Sequence, residues 1–307
     1  MDFPEQWKPP HFADRTRAFL KVQDGCNSFC SYCMVPYARG RNRSLPLERV
    51  LFQARGLAAQ GFKEIVLTGI HLGTYGEDLL PTSSLLILLK ELERENLSLR
   101  LRLSSIEPRE FNPQLTDYLA NSPKVCPHLH IPLQSGDDRL LRRMNRNYSS
   151  AFFAELVTRL AKTIPNAAIG ADVIGGFPGE DDSAFLNTMT LIENLPLAYL
   201  HVFPFSKRKG TLAAAFPGQV PPQVIRARCH ALRELGEKKR NSFFRSFLGQ
   251  RLRVLVESKR DRESGLLKGF SENYIPVLVP GREELINQEV EVQVTEVRDG
   301  KVFGKTY

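Results

Sequence analysis

The chain has 307 residues, a formal net charge of +8 and 42% apolar residues, a composition typical of globular proteins. No apolar run approaches the roughly 20 residues of a membrane span, and the start MDFPEQWKPPHF lacks the pattern of a secretory signal. These features exclude a membrane protein and predict a cytoplasmic one, long enough for one large domain and one small domain.

Short apolar runs alternate with longer amphipathic stretches through most of the chain. The apolar runs predict six buried strands at 19–23, 64–70, 99–106, 128–134, 167–177 and 199–206. The amphipathic stretches predict helices at 46–60, 84–95, 112–121, 137–144, 150–163, 181–194 and 217–247. Such repetition builds βαβ units with a parallel sheet. We therefore expect an α/β fold, a partial (β/α)6 barrel with its site at the C-terminal ends of the strands.

The pattern changes near the end of the chain. Residues 251–258, 266–270, 274–280 and 289–307 alternate apolar and polar side chains, and Asp299-Gly300 is a strong hairpin signal between the last two strand candidates. This predicts a small all-β barrel. The chain then divides into an N-terminal segment at 1–14, an α/β domain at 15–247 and a β-barrel domain at 248–307. The excess positive charge lies before the barrel and favours a polyanionic partner such as RNA.

Three of the five cysteines lie in the segment DGCNSFCSYC, with the spacing C-x3-C-x2-C. Cys26, Cys30 and Cys33 directly follow the first predicted strand, and this spacing lets three thiolates converge on one inorganic group. Iron–sulfur clusters are commonly held by four thiolates, so three would leave one iron open. S-adenosylmethionine (SAM) can bind such an iron through its amino and carboxylate groups. The alternatives are a structural zinc site, with His71 or His130 as fourth ligand, or cysteines without a ligand.

Six segments extend this pattern: VQDGCNSFCSYCMVPYARGRNRS, LTGIHLGTYG, LSSIEP, HIPLQSGDDRLLRRMNRNY, GADVIGGFPGE and HVFPFSKRKGT. In this order they resemble the radical SAM methylthiotransferases, and within them the branch that acts on N6-threonylcarbamoyladenosine in tRNA. The resemblance implies a [4Fe–4S] cluster on the three cysteines, SAM as cofactor and a C-terminal TRAM barrel that binds RNA. It also implies methylthiolation of adenosine C2 beside the tRNA anticodon, with an electron donor such as flavodoxin or ferredoxin. No side chain is assigned as a general acid or base.

The resemblance also implies residues that contact SAM at the strand ends. These are Tyr32, Thr68, Gly69, Ser105, Glu107, Gln134, Arg146, Asp172, Gly176 and Phe203. Glycines there would let the cofactor approach the backbone, and Arg146 could grip its carboxylate. Plain turns at Thr68-Gly69, a helix cap at Glu107 and an RNA-facing or solvated role for Arg146 stay open.

Two further groups of residues are candidates for RNA contacts. Arg41 and Arg43 could grip the carboxylate of a threonylcarbamoyl group, which an isopentenyl group lacks, although phosphate contact or a solvated loop is an equal alternative. In the β-barrel, Phe270 and Tyr274 could stack on bases, or the barrel could only support the catalytic domain. His201 is expected to be a bonded core residue.

Family members begin with another domain, whose three cysteines hold an auxiliary [4Fe–4S] cluster that handles sulfur. The chain lacks such a region and resembles a fragment that cleaves SAM without completing sulfur insertion; a second cluster is expected only in a full-length protein. Two other functions stay open. One is a methylthiotransferase for isopentenyladenosine tRNA or ribosomal protein S12, and the other is a non-catalytic RNA-binding protein with a structural metal.

Overall fold

The computed structural model describes residues 16–306, so the predicted segment 1–14 lies outside the described residues. The strands of the larger part are β1 (Arg17–Lys21), β2 (Gln23–Asp24), β3 (Arg43–Ser44), β4 (Glu64–Thr68), β5 (Arg100–Leu103), β6 (His128–His130), β7 (Ala168–Gly175) and β8 (Tyr199–Pro204). Its helices are α1 (Val35–Arg39), α2 (Leu47–Ala59), α3 (Leu85–Arg94), α4 (Pro113–Asn121), α5 (Asp138–Arg143), α6 (Ser150–Thr163), α7 (Asp182–Asn194) and α8 (Pro222–Arg245).

Six of these strands form the predicted parallel sheet in chain order. Strands β1, β4 and β5 pair in parallel, and so do β6, β7 and β8. A parallel bridge between Leu101 and Val125 joins the two halves, and the Ile106 N–H donates to the His130 carbonyl at 3.0 Å. The predicted partial (β/α)6 barrel is therefore confirmed. Helix α1 and the antiparallel ribbon β2–β3 are additional elements that the sequence patterns did not predict.

Side-chain caps determine where helices α3 to α7 begin. In each case the preceding Ser, Asn or Asp accepts a hydrogen bond from a backbone N–H of the first turn. The caps are Ser84, Asn112, Asp137, Ser149 and Asp181. Apolar residues then recur at helical spacing, and in α3 the buried face is formed by Leu85, Leu88, Leu89 and Leu92. These faces pack against the sheet in one core.

The C-terminal part is a closed five-stranded barrel with the strand order β10-β11-β13-β12-β9. Its strands are β9 (Arg251–Arg260), β10 (Leu267–Ser271), β11 (Pro276–Val279), β12 (Glu289–Arg298) and β13 (Lys301–Thr306). Asp299 and Gly300 turn between β12 and β13 with φ values of 50° and 71°, as a tight hairpin requires. The predicted all-β barrel is confirmed, and it has its own apolar core.

The barrel covers the N-terminal ends of the parallel strands. Arg100, the first residue of β5, donates from Nη2 to the Phe270 carbonyl at 2.8 Å. Asn273 donates to the carbonyl of Asn166, just before β7, at 3.2 Å. The opposite, C-terminal ends of the strands are therefore left for the cysteine loop. Among the described helices, none combines the length and the apolarity that crossing a lipid bilayer requires.

Phe270 and Tyr274 lie at this domain boundary rather than on the outer surface of the barrel. Their rings stack on each other with centroids 4.9 Å apart, and the Arg17 guanidinium lies 4.6 Å from the Phe270 ring centre. Tyr274 also contacts the ring of His128 at 4.7 Å. Both aromatic residues therefore support the domain interface, and they also line a cleft described below.

Candidate active site

The cysteine loop is closed at its base by the β2–β3 ribbon. Gln23–Asp24 pairs with Arg43–Ser44, which brings the two ends of the loop together. Gly25 follows directly, with a φ of 75°, and a side chain at this position would collide with the carbonyl of Arg41. Only glycine combines this backbone conformation with so close an approach. The loop that carries the three cysteines is thus fixed against residues 40–43.

The three cysteines of the loop are half-buried and not joined by disulfides. Burial raises the pKa of the Cys33 thiol, and the neighbouring Cys30 and Cys26 raise it further. Within residues 16–306, however, the three sulfurs are not all within 4.8 Å of one another. The sulfurs of a tetrahedral zinc site would be about 3.8 Å apart, given zinc–sulfur bonds of roughly 2.3 Å. A larger iron–sulfur group accommodates a wider spacing, and the iron and sulfide analysis proposed below distinguishes it from zinc.

Arg146 links Glu107, another predicted site residue, to Cys30 of the cysteine loop. Its guanidinium donates from Nη1 to the Cys30 sulfur at 3.3 Å and forms an ion pair with Glu107. Burial alone would lower the pKa of Arg146, but Tyr148 and Glu107 raise it, so the guanidinium stays charged. Glu107 also caps the short 3-10 helix Pro108–Glu110, so the cap and the site contact coexist. A fixed cation beside the sulfurs stabilises negative charge at this position.

His71 makes an equivalent contact on the other side of the loop. Its Nδ1 lies 3.4 Å from the Cys26 sulfur, and its Nε2 pairs with Glu110. Burial would lower the pKa of His71, but the hydrogen bonds to Cys26 and Glu110 raise it to about 10. The sequence suggested His71 only as a zinc ligand. No local pattern links it to Glu110, because the two residues meet only when the loops after β4 and β5 lie side by side.

The other predicted SAM contacts occupy the same C-terminal end of the sheet. Gly69 follows β4 and its N–H donates to the Ser104 hydroxyl at 3.3 Å, while Ser105 is the next residue after that serine. Thr68 ends β4 and Tyr32 packs edge-on against the Phe177 ring at 6.4 Å. Their positions suit cofactor contacts, which stay predictions.

Contacts within the protein already constrain three of the residues predicted to bind SAM: Gly176, Gly69 and Gln134. A side chain at Gly176, where φ is 80°, would collide with Ile225 of α8, so close packing of the helix already requires glycine there. A side chain at Gly69 would meet the Gln23 side chain at 2.9 Å. Gln134 has a φ of 66° and its N–H donates to the Asp172 carbonyl at 2.8 Å, which fixes the turn after β6.

Asp172 belongs to a polar network inside the barrel. Its Oδ1 lies 2.8 Å from His130 Nε2 and 3.4 Å from His201 Nδ1. His130 also lies 3.1 Å from the Tyr199 hydroxyl. The His201 side chain is 56% exposed, so the expectation of a core histidine is wrong: strand β8 is an edge strand and its inner face is open.

Replacing Asp172 by Asn is expected to destabilise the protein in a pH-dependent way. Burial would raise the pKa of Asp172, but its hydrogen bonds to His130 and His201 lower it to about 2. A carboxylate with a depressed pKa stabilises the fold above its unfolded pKa of about 3.9, and this contribution is lost as the pH falls towards 2. Urea unfolding should show a deficit of about 2 kcal/mol at pH 7 that shrinks at pH 3. An equal deficit at both pH values would contradict the assignment.

Arg41 and Arg43 flank the cysteine loop. Arg41 is exposed, and Arg43 is half-buried with its Nη2 3.6 Å from Asp24 Oδ2. One arginine is therefore fully available to a ligand, and the other is oriented by a carboxylate at the base of the loop.

Comparisons with known proteins agree with this architecture. The model of the radical SAM superfamily matches residues 20–192, and that of the TRAM domain matches residues 245–306. The chain is 41% identical over 293 residues to threonylcarbamoyladenosine tRNA methylthiotransferase MtaB of Bacillus subtilis, covering 94% of the chain and 65% of that relative. It is 37% identical over 288 residues to tRNA-2-methylthio-N(6)-dimethylallyladenosine synthase of Pelotomaculum thermopropionicum, covering 94% of the chain and 64% of that relative. The chain thus spans slightly less than two thirds of either relative.

Solved structures share the fold at low sequence identity. The radical S-adenosylmethionine methyltransferase TsrM from Kitasatospora setae aligns with a TM-score of 0.54 and 20% identity, over 64% of this chain and 35% of that chain. Methylornithine synthase aligns with a TM-score of 0.51 and 17% identity, over 72% of this chain and 62% of that chain. The predicted resemblance and the additional TRAM domain are confirmed. Because the family model matches more than half of its residues, the chain belongs to the radical SAM superfamily.

Proposed function

We propose that this chain is the SAM-cleaving and RNA-binding part of a tRNA methylthiotransferase that modifies C2 of N6-threonylcarbamoyladenosine. The observation that carries the proposal is the loop of Cys26, Cys30 and Cys33 at the C-terminal end of a parallel sheet, with Arg146 and His71 beside its sulfurs. The similarity to methylthiotransferases along 94% of the chain supports the reaction class.

The three thiols fit a [4Fe–4S] cluster, because three soft sulfur donors lie on one short loop whose base is fixed by the β2–β3 ribbon. When bound and reduced, the cluster supplies the electron that cleaves SAM. The chain's own residues orient the cofactors and stabilise negative charge at the sulfurs. Arg146 and His71 do so from positions fixed by their ion pairs with Glu107 and Glu110, respectively. We infer SAM contacts for the other predicted residues at this end of the sheet, with the exception of Phe203.

The electron must come from another protein. We propose a flavodoxin or a ferredoxin as the donor, since both carry single electrons at low potential. Sulfur insertion is expected to need the auxiliary cluster of a full-length protein. A cytoplasmic location remains a prediction.

The choice of tRNA substrate depends on the arginines beside the loop. Relatives named for threonylcarbamoyladenosine and for dimethylallyladenosine both match the chain, at 41% and 37% identity. A threonylcarbamoyl group carries a carboxylate, which an arginine can bind with two hydrogen bonds, whereas a dimethylallyl group offers no acceptor. Exposed Arg41 and partly exposed Arg43 favour the threonylcarbamoyl substrate.

Replacing Arg41 and Arg43 together by Ala is expected to weaken binding of an anticodon stem–loop that carries N6-threonylcarbamoyladenosine about tenfold more than binding of the unmodified stem–loop. Fluorescence anisotropy at fixed salt measures both affinities. The matched control replaces two exposed arginines on helices α2 and α8, Arg49 and Arg226, by Ala. Equal losses for the two RNAs would show that Arg41 and Arg43 contact phosphates.

The substrate itself can be identified in cells. Mass spectrometry of tRNA nucleosides from cells that lack the gene should show loss of the 2-methylthio group from threonylcarbamoyladenosine alone. Loss from the isopentenyl nucleoside instead would contradict the proposed substrate. Unchanged nucleosides, together with intact SAM after anaerobic reconstitution, would favour the non-catalytic RNA-binding alternative.

A further inference from the structure

A cleft of about 570 Å³ lies between the edge strand β8, helix α8 and the β-barrel. This volume falls within the range of about 300–1,000 Å³ that small-molecule sites occupy. Its floor is formed by Phe270 and Tyr274 at the N-terminal ends of the parallel strands, whereas the cysteine loop follows their C-terminal ends. The cleft runs along β8 from its first residue, Tyr199, to its next-to-last residue, Phe203, and so extends towards the strand ends that carry the cysteine loop.

The walls of the cleft carry aromatic rings that can stack on a nucleobase. Phe203 of β8 is 51% exposed, and His201 on the same face of the strand contacts its ring edge-on with centroids 6.5 Å apart. Phe270 and Tyr274 form a second, stacked surface with centroids 4.9 Å apart. A large exposed apolar ring costs free energy in water, and stacking on a base is a common way to cover it.

Polar groups at the inner wall can read the edge of a base. His201 is held by Asp172, which is itself held by His130, so its ring is oriented towards the cleft by the barrel interior. This network presents a donor or acceptor at a fixed position on a rigid strand. Such an arrangement suits the hydrogen-bonding edge of a nucleobase.

The helix wall adds positive charge at the same place. Arg233 of α8 is exposed and lines the cleft. Within residues 16–306, no carboxylate lies within ion-pairing distance of Arg233, whose Nη2 donates only a long, 3.5 Å hydrogen bond to the Val202 carbonyl. By contrast, Arg240 is paired with Glu237 and packs on Phe244. Arg233 is thus available to a phosphate.

We propose that this cleft binds one nucleotide of the RNA substrate that flanks the reacting nucleoside. The base stacks against Phe203, its edge meets His201, and its phosphate lies at Arg233. The flanking position follows because Phe203 lies near the C-terminal end of β8, the sheet edge that carries the cysteine loop, while the rest of the cleft extends away from that edge. This inference rests on the proposed function, and it assigns Phe203 to the RNA instead of to SAM.

The test measures affinity for an anticodon stem–loop RNA with the reconstituted chain. Phe203→Ala should weaken binding about tenfold, as expected for loss of one base–aromatic contact, and Arg233→Ala should lower the salt dependence of binding by about one counterion. The matched controls are Phe52→Ala, a 62% exposed phenylalanine on α2, and Arg226→Ala, an exposed arginine on α8. Both controls should bind within about twofold of the parent.

A second arm identifies the nucleotide. If Phe203 stacks on a flanking base, an abasic site at that position should weaken binding to the parent chain and erase the difference between the parent chain and Phe203→Ala. If the parent chain binds RNA but Phe203→Ala and Phe52→Ala bind it equally well, the nucleotide-binding role of the cleft would be overturned and the proposed function would stand. A parent chain that cleaves SAM but binds no RNA would overturn the proposed function as well.

Discussion

Replacing Cys30 by Ala is expected to abolish cluster assembly and reduce SAM cleavage to background. The three thiols must act together, because two thiolates cannot hold a four-iron cluster against loss in solution. Anaerobic reconstitution followed by iron and sulfide analysis should give about four irons per chain for the parent and nearly none for the variant. Chromatographic detection of 5′-deoxyadenosine after addition of reductant measures cleavage in the same samples.

Cys126→Ala is the matched control for this experiment. Cys126 is buried away from the loop, and burial raises the pKa of its thiol to about 12, which keeps it protonated. A protonated, buried thiol is a poor metal ligand. The control should therefore retain its iron and its SAM cleavage. A Cys30→Ala variant with a full iron content would contradict the ligand assignment.

Among the substitutions proposed for this protein, Glu64→Gln is expected to lower the free energy of unfolding most. Glu64 is fully buried and its carboxylate accepts hydrogen bonds from Arg100 at 2.7 Å and from Arg102 at 2.7 and 2.9 Å. Both arginines are themselves buried beneath the β-barrel. Removing one member of a buried ion pair leaves charge without compensation, which typically costs about 3–5 kcal/mol. Urea unfolding at neutral pH should show a loss of this size.

The exposed ion pair between Arg55 and Glu95 provides the control. Its atoms lie 2.5 Å apart, but the pair lies on the surface, where water screens the interaction. Glu95→Gln should leave the unfolding midpoint unchanged within error. If Glu64→Gln behaved like this control, the buried network would not hold the two domains together.

Local sequence patterns were sufficient to predict most of the helices and strands of the fold. Helices α3 to α7 begin at capping residues that can be read directly, such as Ser84 and Asp181, and the apolar runs predicted all six parallel strands. Asp299-Gly300 predicted the last hairpin for the same reason, since the turn type depends on those two residues. The cysteine spacing likewise predicted the candidate site loop, because all three cysteines lie on one short segment.

Contacts between distant segments could not be predicted in this way. His71 and Glu110 are paired across two loops, and the β-barrel reaches Arg100 through the Phe270 carbonyl. Neither contact leaves a signal within one window of the sequence. At Gly176, packing against Ile225 already requires glycine, so the sequence could not separate this need from a cofactor contact, which stays a prediction.

The coordination of SAM by the open iron is the central claim, and magnetic resonance of the reduced, reconstituted chain tests it most directly. With isotope-labelled SAM, we expect hyperfine coupling between the cluster and the labelled amino and carboxylate groups. This coupling should disappear in Cys30→Ala. A cluster-containing parent chain whose spectrum shows no coupling to SAM, or a chain that holds a single zinc ion instead, would contradict the account.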